Sequence, residues 1–177
     1  MFYNITLKDT IRIDPKLFDL PLEEAVLKEL NVRYLGYVSQ EMGIVVGISS
    51  VGEVSEGKII PEDGATYHQV SFGIVTFIPE MKEVVLGIVR KIEEFGVFFD
   101  MGPIDGMIHI SQTMDDFVSF SKDNALQGKE SKRVLKSGDL CRAKIIAISF
   151  KDIENIKIGL TMRQPTLGKP EWAKEEA

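Results

Sequence analysis

The sequence predicts two domains, an α+β domain over residues 1–80 and an all-β domain over residues 81–164, followed by a C-terminal arm over residues 165–177. Strand and helix periodicities alternate in the first range, whereas the second range holds short strand patterns with few helical signals. The arm contains three residues that break regular structure and the only tryptophan, namely Pro165, Gly168, Pro170 and Trp172. We expect the tryptophan to anchor the arm on the fold.

The first domain begins with an alternating segment. Tyr3, Ile5 and Leu7 are separated by polar residues, which predicts a half-buried strand. The dipeptide Asp14-Pro15 ends this strand, because proline at that point disrupts an extended ladder.

A helix is predicted next. Asp19 is placed to cap its N-terminus, Pro21 lies in its first turn, and apolar residues recur at helical spacing from Leu22 to Leu30. The helix is expected to end before Gly36.

Two strands complete the first domain. The continuous apolar run Gly43–Val51 predicts a strand that is buried on both faces or nearly so. A polar, glycine-rich loop follows at Gly52–Ala65, and the alternation of Tyr67–Ile78 predicts the last strand. The order strand, helix, strand, strand is typical of a small α+β, RNP-like domain.

Five short strands are predicted in the second domain, which is the number in an OB-type barrel. They are Val84–Ile92, Gly96–Met101, Gly106–Ile110, Leu140–Ile148 and Ile156–Met162. A turn is predicted at Lys151–Glu154. The polar stretch Met114–Lys136 lacks strand periodicity, so we expect an excursion between strands with room for a helical turn.

The composition predicts a soluble, cytoplasmic protein that is not a polycation. The formal net charge is -6, with 6 Lys and Arg against 12 Asp and Glu in residues 1–80 and 15 of each in residues 81–177. A single cysteine, Cys141, rules out an internal disulfide and fits a reducing compartment. No apolar run approaches the ~20 residues that span a bilayer, so no membrane contact is expected.

No enzyme and no cofactor are predicted. The chain has neither a G-x-S-x-G nucleophile elbow nor a G-x-x-x-x-G-K-[ST] phosphate loop. Asp115 and Asp116 pair two carboxylates, but adjacent acids on a loop more often cap a turn than bind a metal. His68 lies on the apolar face of its strand, as a core histidine does. The four acids of the Gly52–Ala65 loop oppose phosphate binding and favour a protein contact or a solvated loop.

Three ring side chains of the second domain, Phe95, Phe98 and His109, lie at strand ends or at exposed alternations. Rings on a small barrel stack the bases of single-stranded nucleic acid, whereas the alternative is ordinary core packing. Phe98 and Phe99 are neighbours and point to opposite faces, so one of them faces outward. Basic residues that could follow the phosphates are Arg90, Lys91, Lys144, Lys157 and Arg163.

Four motifs of the second domain resemble the RNA-binding OB domain of ribosomal protein S-one. They are G-x-V-x-x-I-x-x-F-G-V-F (Gly87 to Phe98), G-M-I-H-I-S (Gly106 to Ser111), S-G-D-L-C-R-A-K-I-I-A-I (Ser137 to Ile148) and K-I-G-L-T-M-R (Lys157 to Arg163). The resemblance implies that Phe95, Phe98 and His109 form the RNA face. Lys157 stands where that family usually has arginine, and Ser149 stands where it has aspartate, which removes one expected contact.

Nearly the whole chain resembles the family that comprises the E-prime component of archaeal RNA polymerase and the seventh subunit of eukaryotic RNA polymerase II. The most specific segments are E-G-K-I-I-P-E-D-G-A-T-Y-H (Glu56 to His68), F-G-V-F-F-D-M-G-P-I-D-G-M-I-H-I-S-Q (Phe95 to Gln112) and L-T-M-R-Q-P-T-L-G-K-P-E-W (Leu160 to Trp172). Thr166 and Pro170 depart from the tail pattern of the family.

The resemblance implies a non-catalytic stalk subunit. Its first domain would dock on the polymerase core through loop residues Gly52, Glu53, Gly57, Lys58, Pro61 and Gly64. The F-type partner of the polymerase stalk would form a heterodimer with the chain and lie along both domains. The barrel would hold the emerging single-stranded RNA with Phe95, Phe98, His109, Arg90, Lys144 and Lys157. The alternative is a free-standing OB-domain RNA-binding factor of the exosome-cap or translation type, which leaves the first domain without a purpose.

Overall fold

The computed structural model describes residues 1–121, 124–152 and 155–175. They form two compact units, Met1–Ile78 and Pro79–Ala177. The domain bounds predicted from the sequence, 1–80, 81–164 and 165–177, remain predictions.

The first unit is an antiparallel sheet with one helix on one face. Its elements are β1 (Phe2–Ile13), a 3-10 turn (Pro15–Leu17), α1 (Leu22–Tyr34), β2 (Val38–Ser39), β3 (Gly43–Val54), β4 (Lys58–Ile59) and β5 (Thr66–Phe77). The strand order is β1-β5-β3-β2, and β4 also pairs with β5. The core lies between α1 and the sheet, where Ile11, Val26, Leu30, Phe72 and Ile74 are fully buried.

The predicted cap of α1 is wrong. Pro21 occupies the N-cap position and no side chain caps the helix. Its fixed φ suits the first helical turn, so proline starts the helix without a capping hydroxyl or carboxylate. The helix ends at Tyr34, before Gly36, as predicted.

The prediction that Gly43–Val51 is buried on both faces or nearly so is also wrong. Ile44 and Val45 are buried, whereas Val46, Ser49 and Ser50 are exposed. Only the face of the sheet that meets α1 is covered, so the apolar run overstates the burial of β3. The loop predicted to begin at Gly52 is shorter, because β3 continues to Val54 and β4 pairs with β5.

His68 has a structural role on β5. Its side chain is buried, its Nδ1 lies 2.9 Å from the backbone oxygen of Ser55, and its Nε2 lies 3.1 Å from the Thr66 hydroxyl. Both ring nitrogens therefore have partners, which agrees with a core histidine.

The second unit is a closed barrel with a small additional sheet. Its strands are β6 (Val84–Glu93), β7 (Gly96–Asp100), β8 (Asp105–His109), β9 (Val118–Ser121), β10 (Ala125–Gly128), β11 (Val134–Lys136), β12 (Leu140–Asp152) and β13 (Asn155–Thr161). The barrel closes in the order β12-β13-β8-β7-β6, and β13 runs parallel to β8. Val89, Val97, Phe99, Ile108 and Leu160 fill its interior.

Two predictions for the second unit need correction. The stretch Met114–Lys136 is not irregular, because β9, β10 and β11 form a three-stranded antiparallel sheet within it. Each strand has only three or four residues, too few for a period to show in the sequence. The turn predicted at Lys151–Glu154 is partly strand, since β12 continues to Asp152; Ile153 and Glu154 lie outside the described residues.

The C-terminal arm packs on the barrel. Arg142 and Gly168 exchange two backbone hydrogen bonds of 2.8 Å. The Trp172 ring is buried, and the Arg133 guanidinium lies 5.6 Å from its centre. The short helix α2 (Pro170–Glu175) carries this tryptophan, so the predicted anchoring role of Trp172 is confirmed.

Candidate nucleic-acid interface

The strands β7 and β8 bring the three predicted rings together on the outside of the barrel. Phe95 lies in the turn before β7, Phe98 lies on β7, and His109 ends β8 opposite Gly96. The centres of the two phenylalanine rings are 6.1 Å apart and the ring planes meet at 88°. Phe95 is 49% exposed, Phe98 is half-buried and His109 is exposed.

Strand alternation explains which phenylalanine faces outward. Phe99 is fully buried in the barrel, so its neighbour Phe98 points to the opposite face. A Cβ atom on Gly96 would lie 2.3 Å from the backbone oxygen of Ile108, so β7 and β8 approach closely only because this residue is glycine. This close approach sets His109 beside the two rings.

A hydrogen bond orients the His109 ring. The backbone N–H of Ser111 donates to Nδ1 at 3.3 Å, and the Ser111 hydroxyl lies 2.9 Å from the same nitrogen. Because Nδ1 accepts, the neutral ring carries its proton on Nε2. The exposed ring therefore offers an N–H donor in addition to a stacking surface.

The predicted basic residues do not all join the rings. Lys157 is exposed on β13, and the register of β13 with β8 places it level with Asp105. Since β8 advances ~3.3 Å per residue, this is roughly 13 Å along the strand from His109. Lys144 lies on β12 with its Nζ 3.2 Å from Gln164 Oε1.

Two further cations are held in ion pairs. Arg90 Nη1 lies 2.6 Å from Asp105 Oδ2, and Lys91 Nζ lies 2.5 Å from Glu93 Oε1. In the strand register Lys91 lies opposite Phe98, and among the four predicted cations Arg90, Lys91, Lys144 and Lys157 it alone is paired with a ring residue in the described part of the chain. This distribution fits a surface that binds bases more than phosphates.

Sequence reasoning missed one residue of this face. Met107 lies directly opposite Phe98 on β8 and next to Gly159 on β13, and its side chain is partly exposed. The alternation of Gly106 to His109 would have placed Met107 on the outer face with His109. Its flexible thioether extends the apolar floor beside Phe98.

The predicted docking loop has a fixed base and an exposed tip. Asp63 accepts hydrogen bonds from Arg12 at 2.8 and 3.0 Å and from the Tyr67 hydroxyl at 2.5 Å, and these bonds, that of Arg12 foremost, hold the pKa of Asp63 well below its usual range. The tip comprises Ile59, which ends β4, and the residues that follow it; Ile59 is 74% exposed and Ile60 is also exposed. Sequence reasoning stressed the acids of this loop and missed its apolar tip.

The six loop residues singled out from the sequence divide by role. A Cβ atom on Gly57 would lie 2.7 Å from the His68 ring, and one on Gly52 would lie 2.9 Å from the Ser71 oxygen, so these two glycines permit close packing. The others are exposed, namely Glu53, Lys58, Pro61 and Gly64.

Other kinds of site find no support among the described residues. No group of three or more His, Cys, Asp or Glu side chains could hold a metal ion there. Within that part of the chain no helix has the length and hydropathy to cross a membrane. Burial raises the pKa of the Cys141 thiol to about 12, as for an inert core cysteine.

The two units match two described domain families in sequence. Residues 8–64 match the "SHS2 domain found in N terminus of Rpb7p/Rpc25p/MJ0397", and residues 78–159 match the "S1 RNA binding domain". The chain therefore pairs an SHS2 domain of the Rpb7p/Rpc25p/MJ0397 type with an S1 RNA-binding domain. The predicted fold class, an α+β domain followed by an OB-type barrel, is confirmed.

Several curated relatives match over nearly their whole length. DNA-directed RNA polymerase subunit Rpo7 of Saccharolobus shibatae is 39% identical over 174 residues, 97% of each chain. That of Sulfolobus acidocaldarius is 39% identical over 177 residues, 99% of this chain and 97% of the relative. DNA-directed RNA polymerase V subunit 7 of Arabidopsis thaliana is 27% identical over 159 residues, 87% of this chain and 89% of the relative.

The chain belongs to the Rpo7 family of DNA-directed RNA polymerase subunits. The family resemblance found in the sequence motifs is thereby confirmed. The same relatives confirm the prediction of a non-catalytic polymerase subunit. They favour it over a free-standing RNA-binding factor and over an enzyme in its own right.

Proposed function

We propose that the outer face of β7 and β8 binds the single-stranded transcript as it leaves the polymerase, and that the chain thereby supports initiation, processivity and termination as a cytoplasmic stalk subunit. The observation that carries this proposal is the exposed edge-to-face pair of Phe95 and Phe98 with His109 beside it, on an S1-type barrel in a member of the Rpo7 family. Bases of a single strand are free to stack on such rings.

The charge of the barrel unit supports a guiding role and not autonomous tight binding. Residues 81–177 carry equal numbers of acidic and basic side chains, and Arg90 is neutralised by Asp105. Few phosphate contacts give weak binding with a shallow salt dependence. If the first unit holds the barrel on the polymerase, the transcript arrives at high local concentration, and modest affinity suffices.

The tip of the loop between β3 and β5 is proposed to dock on the polymerase core. Ile59 and Ile60 are exposed there, and Pro61 follows them. Adjacent exposed apolar side chains mark interaction sites. Asp63, bound to Arg12 and Tyr67, fixes the base of the tip and so reduces the ordering cost of docking.

The F-type partner is proposed to cover the outer face of β6 and β12. Val84, Leu86 and Ile88 project outward from β6 and are about half exposed, and Leu140 lies opposite Ile88 on β12. Four aliphatic side chains on adjacent strands do not stack bases, but they suit an apolar protein surface. Farther along β12 the row is flanked by two basic side chains, Arg142 and Lys144, which favour an acidic rim on the partner.

A binding assay with a single-stranded oligoribonucleotide tests the RNA face. We expect the double variant Phe98→Ala/His109→Ala to bind at least about thirtyfold more weakly than the wild type in filter binding, since each of the two lost stacking contacts costs ~1–3 kcal/mol. Phe18→Ala is the control for the loss of an exposed phenylalanine elsewhere, because Phe18 is 50% exposed and lies in the first unit. Wild-type affinity in a double variant with an unchanged circular dichroism spectrum would refute the proposal.

A further inference from the structure

The segment just before β9 carries one exposed phenylalanine, Phe117, beside the small sheet of β9, β10 and β11. Phe117 is 76% exposed. Its backbone N–H donates to the Asp116 carboxylate at 2.5 Å, and its backbone oxygen accepts from the N–H of Lys129 at 2.9 Å. The chain on both sides of the ring is therefore restrained, although the ring itself contacts solvent.

Asp116 is the centre of this restraint. Its carboxylate also accepts from the backbone N–H groups of Glu130 at 3.0 Å and Ser131 at 2.9 Å, and from the Ser131 hydroxyl at 2.9 Å. A Cβ atom on Gly128 would lie 2.4 Å from the same carboxylate. These contacts join β10 and the following turn to the segment before β9, so Phe117 stands on a hydrogen-bonded base.

Phe117 borders a groove of about 450 Å³ whose other walls include Ser111, Asp115, Glu130 and Arg163. This volume lies within the range of ligand sites, about 300–1,000 Å³. The groove adjoins the ring face, because Ser111 both lines it and contacts Nδ1 of His109 at 2.9 Å. A strand that stacks on His109 would therefore reach the groove with its next nucleotides.

The charges in the groove favour a base over a phosphate. Arg163 Nε and Nη2 each lie 2.8 Å from Asp115 Oδ1, so this guanidinium is already paired. The oxygens of Asp116 are occupied by N–H and O–H donors. The Glu130 carboxylate and Asp115 Oδ2 are the remaining hydrogen-bond acceptors of the groove. Their negative charge repels a phosphate, but they can accept hydrogen bonds from the N–H groups at the edge of a base.

We propose that this groove is a further nucleobase subsite, in which a base of the same RNA strand stacks on Phe117 with its N–H edge toward the acidic wall. The inference rests on the proposed function, because it extends the path of the transcript from His109. It assigns a function to the sheet inserted between β8 and β12, which the five-stranded barrel does not need for closure.

The test measures the affinity of the full chain for single-stranded RNA oligonucleotides of increasing length by fluorescence polarisation. For the wild type we expect affinity to rise when the strand becomes long enough to reach the groove. Phe117→Ala should remove this rise, at least about fivefold for one stacked base, and leave the affinity for the shortest bound oligonucleotide unchanged. Phe117→Tyr, which keeps the ring, should restore it, and Phe18→Ala is the control for an exposed phenylalanine elsewhere.

Salt dependence separates a base from a phosphate in the groove. Because a base carries no charge, Phe117→Ala should lower affinity without altering the slope of log affinity against log salt. Three results would each overturn the inference and leave the ring face intact. The affinity of Phe117→Ala could rise with RNA length as in the wild type, or its slope of log affinity against log salt could differ from that of the wild type. The third is a defect of Phe117→Ala that is confined to assembly with other polymerase subunits. If the wild type binds no RNA at any length, the proposed function fails together with the subsite.

Discussion

Asp63 is the residue that best shows how one side chain organises a surface. Its two oxygens bind Arg12, the Tyr67 hydroxyl and the backbone N–H of Ala65. The carboxylate therefore ties the loop between β4 and β5 to the paired strands β1 and β5 at the base of the apolar tip. Because all three partners favour the charged form, the pKa of Asp63 is lowered, above all by the hydrogen bond from Arg12.

The lowered pKa gives Asp63→Asn a specific pH signature. A carboxylate whose pKa falls on folding stabilises the folded state above its unfolded pKa of ~3.9, and that contribution disappears as the pH falls toward the folded value. We expect Asp63→Asn to melt at a lower temperature than the wild type at pH 7. The gap should close progressively below about pH 4. Thermal unfolding across a pH series measures it, and a gap that is the same at neutral pH and in strong acid would contradict the assignment.

At the scale of elements, the pair β7 and β8 decides where the rings lie. Gly96 opposes His109, and Phe98 opposes Met107. The interior members of the same strands, Val97 and Ile108, are fully buried. The ring face is thus the outer side of the same two strands that close the core, and any change in their spacing moves the rings.

Gly96→Ala should therefore destabilise the barrel and disturb the ring face together. The added Cβ would lie 2.3 Å from the Ile108 backbone oxygen, an overpacking of the kind that costs about 1–3 kcal/mol. Gly47→Ala on β3 is the matched control, because a Cβ there meets nothing within 4 Å. Chemical denaturation of both variants measures the difference in their free energies of unfolding. Equal values would show that the close approach of β7 and β8 does not require glycine at position 96.

Elements with one clear period could be predicted from the sequence. The alternation of β5 correctly placed His68 and Phe72 on the buried face, and all five barrel strands were found within a few residues of their ends. The errors arose where local sequence carries no information on the environment. The apolar run of β3 does not reveal that one face of the sheet lacks a covering layer.

The candidate site shows the same division. Phe95, Phe98 and His109 could be grouped from strand positions because alternation assigns side chains to faces. The distance of these rings from Lys157 could not be predicted, since it depends on the parallel register of β13 and β8. Phe117 was missed because the short strands of its sheet have no visible period, and its restraint comes from the distant Glu130 and Ser131.

At the scale of the whole molecule, the two units differ in charge and in exposed surface. All of the net charge of -6 belongs to residues 1–80, while residues 81–177 are balanced. The acidic range carries the apolar tip with Ile59, and the balanced range carries the rings. This separation agrees with one unit that docks and one that binds RNA.

Docking and RNA binding should therefore be separable by substitution. We expect Ile59→Asp to abolish co-purification with the polymerase core, because a charge replaces an exposed apolar contact, while RNA affinity stays unchanged. Val32→Asp on α1 is the control, since Val32 is 85% exposed and belongs to the helix and not to the tip. Retained co-purification of Ile59→Asp would place the docking surface elsewhere.

Crosslinking of the transcript within the assembled polymerase tests the central claim most directly. A photoreactive nucleotide is placed in the RNA just beyond the exit from the enzyme, and the crosslinked peptides are mapped. We predict crosslinks to this chain within residues 95–109, with a lower yield in the Phe98→Ala/His109→Ala enzyme. Crosslinks confined to other subunits, or an undiminished yield in the double variant, would contradict the account.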